Sequence, residues 1–184
     1  MSVKKLFLFF ISFALTNMAF SSIKSFEAFE LSDSKDGFKE KMVPLNNEKF
    51  SLFIFLSKDC PCSNANLEYI EKLKNEFSTF DFYAIHANLK ASSQEVYNHF
   101  KEKISFPLYN DPELKVANSF RALKTPHAFI LSPGGEIIYS GGITNTVNPV
   151  LASNHYLKKA LTNLNAGKPI GPSTTKTLGC YIAR

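Results

Sequence analysis

The chain has 184 residues and a hydrophobic content of 45%, which suits one domain with a short extension and excludes a disordered chain. Its formal net charge is +5, the lysines are dispersed, and the only arginines are Arg121 and Arg184. Because nucleic-acid binding needs a clustered basic surface, no nucleic-acid partner is expected. With 18 Phe and no Trp, the core must be built largely from Phe, Leu and Ile.

Residues 1–21 carry the pattern of a secretory signal peptide. Lys4 and Lys5 form a positive start, an apolar run from Leu6 to Leu15 follows, and small residues come next. The apolar run spans about ten residues, against roughly 20 for a bilayer-spanning helix. We therefore expect export to the periplasm or the exterior, with no stable membrane anchor.

Strand and helix patterns then alternate along the chain. Strands are predicted where apolar residues alternate with polar ones or run continuously, over 25–31, 51–56, 80–86, 128–131 and 136–139. Helices are predicted from apolar residues at helical spacing, over 61–77, 92–103, 111–120 and 153–166. Ser92 with Glu95 forms a capping box, and Asp111 is expected to cap the third helix. The polar stretch after the first strand favours a hairpin or loop, and Ser-Pro-Gly-Gly at 132–135 a hairpin.

This order predicts an α/β fold of three layers, a mixed central sheet with helices on both faces. Strands separated by helices imply parallel pairing, and the late hairpin adds an antiparallel part. The folded domain is expected over 22–166. The remaining residues, 167–184, show no periodicity and form a predicted C-terminal tail that carries Cys180.

Cys60 and Cys62 lie between a predicted buried strand and the helix after it. With Cys60 as the N-cap and Pro61 as the first helical residue, free N–H groups and the helix dipole favour negative charge there. Such positions lower the pKa of a thiol below about 8.5. A Cys60–Cys62 bridge would close a very small, strained ring, and strained bridges are easily reduced. The pattern favours a redox role, with metal binding and structural packing as the alternatives.

The segment FIFLSKDCPCSNANLEYIEKL resembles the strand–cysteine–helix opening of thioredoxin-like proteins. More narrowly, it is similar to the redoxins grouped with alkyl hydroperoxide reductases and thiol-specific antioxidants. Thr125-Pro126 matches the Thr-Pro pair that this family places beside its active cysteine, and TKTLGCYI, which contains Cys180, resembles the Gly-Cys ending of one redoxin branch. The resemblance covers residue 26 to the C-terminus, and it implies a thioredoxin-like fold and a cis Pro126.

The resemblance further implies an exported thiol–disulfide oxidoreductase. Cys60 would be the nucleophile, Cys62 the near resolving thiol and Cys180 an alternative one, so the disulfide partner of Cys60 stays open. The expected partners are protein or small-molecule disulfides, or hydroperoxides, together with a thiol protein that donates electrons. No cofactor and no metal are expected for this reaction.

Four further residues complete the predicted site. Thr125 and Pro126 are expected to shape the substrate groove, and Ser57 and Ser63 to donate hydrogen bonds to the thiolate. Ser63 also stands where a C-x-x-C reductant has its second cysteine. Ser57 matches the Ser or Thr that peroxiredoxins place three residues before their peroxide-attacking cysteine.

Two other functions fit the same cysteines. A thiol peroxidase that reduces hydroperoxides would use Cys60 as its nucleophile. A copper-binding delivery protein would use Cys60, Cys62 and His127, because soft thiolates with an imidazole suit Cu(I).

Overall fold

The computed structural model describes residues 28–33, 39–89 and 91–184, and the predicted signal peptide lies outside them. The strands are β1 (Ala28–Asp33), β2 (Glu40–Pro44), β3 (Ser51–Leu56), β4 (Asp81–His86), β5 (Leu108–Asn110), β6 (Lys124–Thr125), β7 (His127–Leu131), β8 (Ile137–Gly141) and β9 (Cys180–Tyr181). The helices are α1 (Pro61–Glu76), α2 (Ser93–Phe100), α3 (Lys115–Phe120), α4 (Tyr156–Asn165) and a short 3₁₀ helix at Pro149–Leu151. No α-helix in the described ranges is long and apolar enough to cross a membrane.

Seven strands form one mixed sheet in the order β2-β1-β5-β4-β3-β7-β8. The central strand β3 runs parallel to β4 and antiparallel to β7, and β4 runs parallel to β5. β1 pairs with β2, and β7 with β8, as antiparallel strands. The predicted combination of a parallel centre with an antiparallel hairpin is confirmed.

Helices cover both faces of this sheet. Since side chains of a strand point alternately to opposite faces, Leu52, Ile54 and Leu56 of β3 pack in a core with α1, α2 and α4. Phe53 and Phe55 of the same strand pack in a second core with α3. Every residue of β3 is buried, which is why its sequence is apolar throughout after Ser51. The predicted three-layer arrangement is confirmed.

The second core is held largely by aromatic rings. Phe55 meets Phe129 edge-on with ring centroids 5.6 Å apart, and Phe120 meets Phe129 at 5.1 Å. Each such pair contributes about 0.5–1.5 kcal/mol beyond the area that it buries. A chain with many Phe and no Trp builds this core as its composition predicts.

The third helix begins later than predicted, at Lys115 rather than at 111. Residues 111–114 form a turn, closed by a hydrogen bond from Leu114 N to Asp111 O at 3.1 Å, and Leu114 has a left-handed φ of 57°. The Asp111 carboxylate still caps the helix, because it accepts a hydrogen bond of 2.8 Å from the backbone N–H of Ala117. The predicted start of the helix was therefore wrong by one turn, and Leu114 rather than Asp111 occupies the N-cap position. The predicted hydrogen-bonding role of the Asp111 carboxylate at the helix start is nevertheless observed.

The predicted tail packs against the domain. Its strand β9 pairs antiparallel with β6, so that Cys180 lies opposite Thr125. Before this strand, Thr175 N donates to Ser140 O at 3.1 Å, and after it Ile182 is buried in the second core. The end of the chain thus becomes one wall of the region around Cys60.

Candidate active site

Cys60 caps helix α1 at the end of the central strand. Its backbone is extended, with φ −95° and ψ 110°, and Pro61 is the first helical residue. A turn after β3 is closed by Cys60 N donating to Ser57 O at 3.2 Å. The Cys60 Sγ accepts a hydrogen bond of 3.4 Å from the backbone N–H of Ser63. The structure thus places the thiol at the positive end of the helix, as its sequence position predicts.

The loop before β7 forms the second side of the site. The Thr125-Pro126 peptide bond is cis, in agreement with the expectation from the resemblance. The thiol of Cys60 donates to the carbonyl oxygen of Thr125 at 3.0 Å. Together with the helix start, this carbonyl leaves Cys60 only 1% exposed.

The C-terminal segment forms the third side and brings in Cys180. The Sγ atoms of Cys60 and Cys180 are 2.8 Å apart, although 120 residues separate them in the sequence. The Sγ atoms of Cys60, Cys62 and Cys180 all lie within 4.8 Å of one another, and all three are free thiols. The sequence left the partner of Cys60 open, and the structure places Cys180 in direct contact with it.

The three thiols differ in acidity. Burial raises the pKa of Cys60, but its hydrogen bonds with Cys180 and with the backbone N–H of Ser63 outweigh burial and lower the pKa to about 7. The contact with Cys60 is the largest cause that raises the pKa of Cys180, to about 12. Burial raises the pKa of Cys62 as well. Of the two sulfurs in contact, Cys60 therefore loses its proton at a lower pH than Cys180.

A comparison with family models matched residues 30–183 to the family described as "Domain of unknown function (DUF6436)". The chain belongs to this family. No curated protein matches its sequence.

Solved structures resemble this DUF6436 chain over most of its length. An uncharacterized conserved protein from Geobacillus kaustophilus superimposes with a TM-score of 0.77 at 20% identity, covering 88% of this chain and 90% of its own. A hypothetical protein from Sinorhizobium meliloti superimposes with a TM-score of 0.71 at 21% identity, and the match covers 84% of this chain and 90% of that protein. The thioredoxin domain of a thiol-disulfide oxidoreductase from Bacteroides vulgatus has a TM-score of 0.52 at 18% identity, and the match covers 64% of this chain and 86% of that domain. At these identities the likeness concerns the fold, and the predicted thioredoxin-like fold is confirmed.

The two predicted serines contact each other, and the hydrogen bond to the thiol comes from the backbone of Ser63 rather than from a serine hydroxyl. The hydroxyl oxygen of Ser63 accepts a hydrogen bond of 3.2 Å from Ser57 N, and Ser63 reaches Cys60 through its backbone N–H. Both serines are buried. Their contacts hold the turn between β3 and α1, which fixes the position of Cys60 in this DUF6436 chain.

His127 lies outside the cysteine group. Among the described residues, the group of potential metal ligands within 4.8 Å consists of Cys60, Cys62 and Cys180. The Nε2 atom of His127 is 3.1 Å from the hydroxyl of Ser140, and burial lowers the pKa of His127 to about 4. The structure therefore joins Cys180, rather than His127, to the other two cysteines.

Asn66 is a positioning residue that sequence reasoning missed. Its side-chain amide donates to Cys62 O at 2.8 Å and to Val147 O at 3.0 Å, and the residue is only 2% exposed. These bonds tie the first turn of α1 to the loop near Val147. The available signal was a polar residue four positions after Cys62, one helical turn along on the same side.

Replacing Cys180 by Ala is expected to raise the pKa of Cys60 above about 7. The S–H donor of Cys180 is lost, and a hydrogen bond to a charged group contributes about 1.5–3 kcal/mol, equivalent to about one pKa unit or more. Thiolate absorbance measured against pH in a Cys62→Ser background reads out this change. Cys180→Ser keeps a hydroxyl donor and should shift the titration less. An unchanged curve for Cys180→Ala would contradict the assignment of Cys180 as the donor.

Proposed function

We propose that this protein is a thiol–disulfide oxidoreductase of the redoxin type whose redox couple is Cys60 and Cys180. The observation that carries the proposal is the 2.8 Å contact between their Sγ atoms at the start of α1. A sulfur held there by N–H groups and by a thiol donor is stabilised as a thiolate, the reactive form of cysteine. The thioredoxin-like fold supports the same conclusion as a general analogy.

The proposed reaction has two exchange steps. The Cys60 thiolate attacks one sulfur of a substrate disulfide, which forms a mixed disulfide and releases the other substrate sulfur as a thiolate. Cys180 then attacks Cys60 Sγ, forms the Cys60–Cys180 bond and releases the second substrate thiol, while the Cys180 proton passes to the departing sulfur. Two electrons move from the protein to the substrate. To reset the couple, a donor thiolate attacks Cys60 Sγ and releases Cys180 as a thiol. A second donor thiol then attacks the donor sulfur of this mixed disulfide, forms a donor disulfide and releases the Cys60 thiolate, which is a good leaving group because of its low pKa.

The remaining predicted residues would orient this chemistry. Ser57 and Ser63 hold the turn that places Cys60, and Thr125 contacts the thiol through its carbonyl while pairing with Cys180. Pro126 follows in the same loop and is buried. We propose that Cys62, half-buried at the rim, borders the approach to Cys60 and stays protonated while the couple reacts.

A thiol peroxidase is the second candidate, and the burial of Cys60 favours it. At 1% exposure, the sulfur is reached more readily by a small hydroperoxide than by a protein disulfide. The Cys60 thiolate would take one peroxide oxygen, become a sulfenic acid and release an alcohol or water. Cys180, already 2.8 Å away, would then form the disulfide and release water. This reaction fits the finer resemblance to peroxiredoxin-like redoxins.

We also propose that the protein works outside the cytosol. The pattern of residues 1–21 supports export. In an oxidising compartment a disulfide persists until a specific donor reduces it. An electron-donor thiol protein in the same compartment would complete the cycle.

Reduced protein mixed with a small disulfide, such as glutathione disulfide, is expected to release two substrate thiols per chain. Cys60→Ser should reduce the rate to the uncatalysed background, because a hydroxyl at neutral pH is a far weaker nucleophile than a thiolate. Thiol release is followed with a chromogenic reagent, and peroxide consumption is measured in parallel. His99→Gln, at a part-exposed histidine that contacts Asn64 and Lys103, is the control. Full activity of Cys60→Ser would refute the proposal, and faster turnover with peroxide would favour the peroxidase.

A further inference from the structure

We propose that the reduced protein also binds one Cu(I) ion through the three sulfurs of Cys60, Cys62 and Cys180. The three Sγ atoms lie within 4.8 Å of one another. Cys60 is buried, and the other two are half-buried at the surface of the same site. This function goes beyond the redox reaction and does not depend on it.

Two elements, the start of α1 and the strand β9, hold the three sulfurs in place. Cys60 is fixed as the N-cap of α1, Cys62 lies in the first turn, where Asn66 binds its carbonyl, and Cys180 is paired with Thr125 between β9 and β6. A planar three-coordinate ion with sulfur distances of about 2.3 Å separates its ligands by about 4 Å. The sulfurs of Cys60 and Cys180, now 2.8 Å apart, would move apart by about 1 Å. The site is therefore nearly formed before the ion arrives.

The donor set selects the ion. Among the described residues, the group contains three thiols and no carboxylate or imidazole. Soft sulfur ligands favour Cu(I), whereas zinc in proteins almost always takes four ligands. Cu(I) is stable with three thiolates, and the N-terminus of α1 offsets part of their negative charge.

The binding reaction is balanced without electron transfer. Three S–Cu bonds form, the protons of the thiols that were protonated pass to solvent, and copper stays monovalent. Because the same sulfurs form the proposed disulfide, copper binding and the Cys60–Cys180 bridge exclude each other. Oxidised protein is therefore expected to release the ion, and reduced protein to take it up.

The test is an anaerobic titration of the reduced full chain with Cu(I) in competition with a chromogenic chelator. We expect one equivalent per chain and three sulfur neighbours of copper by X-ray absorption. Cys62→Ser and Cys180→Ser should each weaken binding by at least a hundredfold. His127→Gln is the matched control, because its imidazole lies outside the group, and it should bind copper like the unchanged chain.

Two outcomes would overturn this proposal. If the Cys180→Ser variant binds copper like the unchanged chain and the His127→Gln variant does not, the copper ligands would be Cys60, Cys62 and His127. Tight binding by both Cys62→Ser and Cys180→Ser would show that the three sulfurs do not act together. The proposed redox function is tested by a different measurement. If the unchanged chain shows no disulfide exchange, the redox proposal is wrong, but the number of copper ions bound per chain is unaffected.

Discussion

Mild oxidation of the reduced chain is expected to link Cys60 to Cys180 and to leave Cys62 as the free thiol. The two sulfurs already touch at 2.8 Å, and a disulfide needs them at about 2.05 Å. A Cys60–Cys62 bridge would instead close a ring across the first turn of α1, where the Cys60 backbone is fixed by capping. Peptide mapping under non-reducing conditions, after one equivalent of a small disulfide, identifies the pair.

Variants in which one cysteine is replaced by serine test this pairing directly. Cys62→Ser should still form the bridge, whereas Cys180→Ser should accumulate a mixed disulfide between Cys60 and the oxidant. The second exchange step should slow by on the order of a hundredfold or more, because an intramolecular thiol has a large effective concentration. A Cys60–Cys62 peptide as the main product would contradict Cys180 as the redox partner.

Local sequence signals were sufficient for the central part of the fold. β3 was predicted with its observed bounds, Ser51–Leu56, because a strand buried on both faces has a continuous apolar run. The start of α1 was equally clear, since Pro61 suits the first helical position and cannot donate a backbone hydrogen bond. The capping box of Ser92 and Glu95 is present as predicted. Each of these features depends on residues close together in the chain.

Features that depend on distant pairing could not be predicted in this way. β6 and β9 are two residues long each and show no alternation, because they exist only through their contact with each other. Cys180 lies next to Cys60 because β9 pairs with β6. Residues 167–184 were predicted to form a tail because their sequence shows no periodicity. That prediction contained no information about where the segment packs. The presence of Cys180 and the resemblance at the Gly-Cys ending indicated a role for the segment, but not its position.

The strand contact that positions Cys180 makes Gly179 critical, and Gly179→Ala is expected to disrupt the couple. A Cβ atom at this position would lie 2.0 Å from the carbonyl oxygen of Thr125, so the β9 backbone must move away from β6. Cys180 would move with it and lose its contact with Cys60. Formation of the Cys60–Cys180 bridge should slow by at least tenfold, and overpacking should cost about 1–3 kcal/mol of unfolding free energy.

The control for this substitution is Gly134→Ala, where the nearest atom to a new Cβ is the Ser132 hydroxyl at 3.8 Å. It should leave both bridge formation and stability near those of the unchanged chain. Thermal unfolding and disulfide kinetics of the two variants, measured side by side, separate a local shift of β9 from a general loss of folding. A folded Gly179→Ala chain that forms the bridge at the normal rate would show that the tail adapts without moving Cys180. In that case the position of Cys180 would depend on other anchors of the tail, such as the buried Ile182, rather than on the close approach of Gly179 to Thr125.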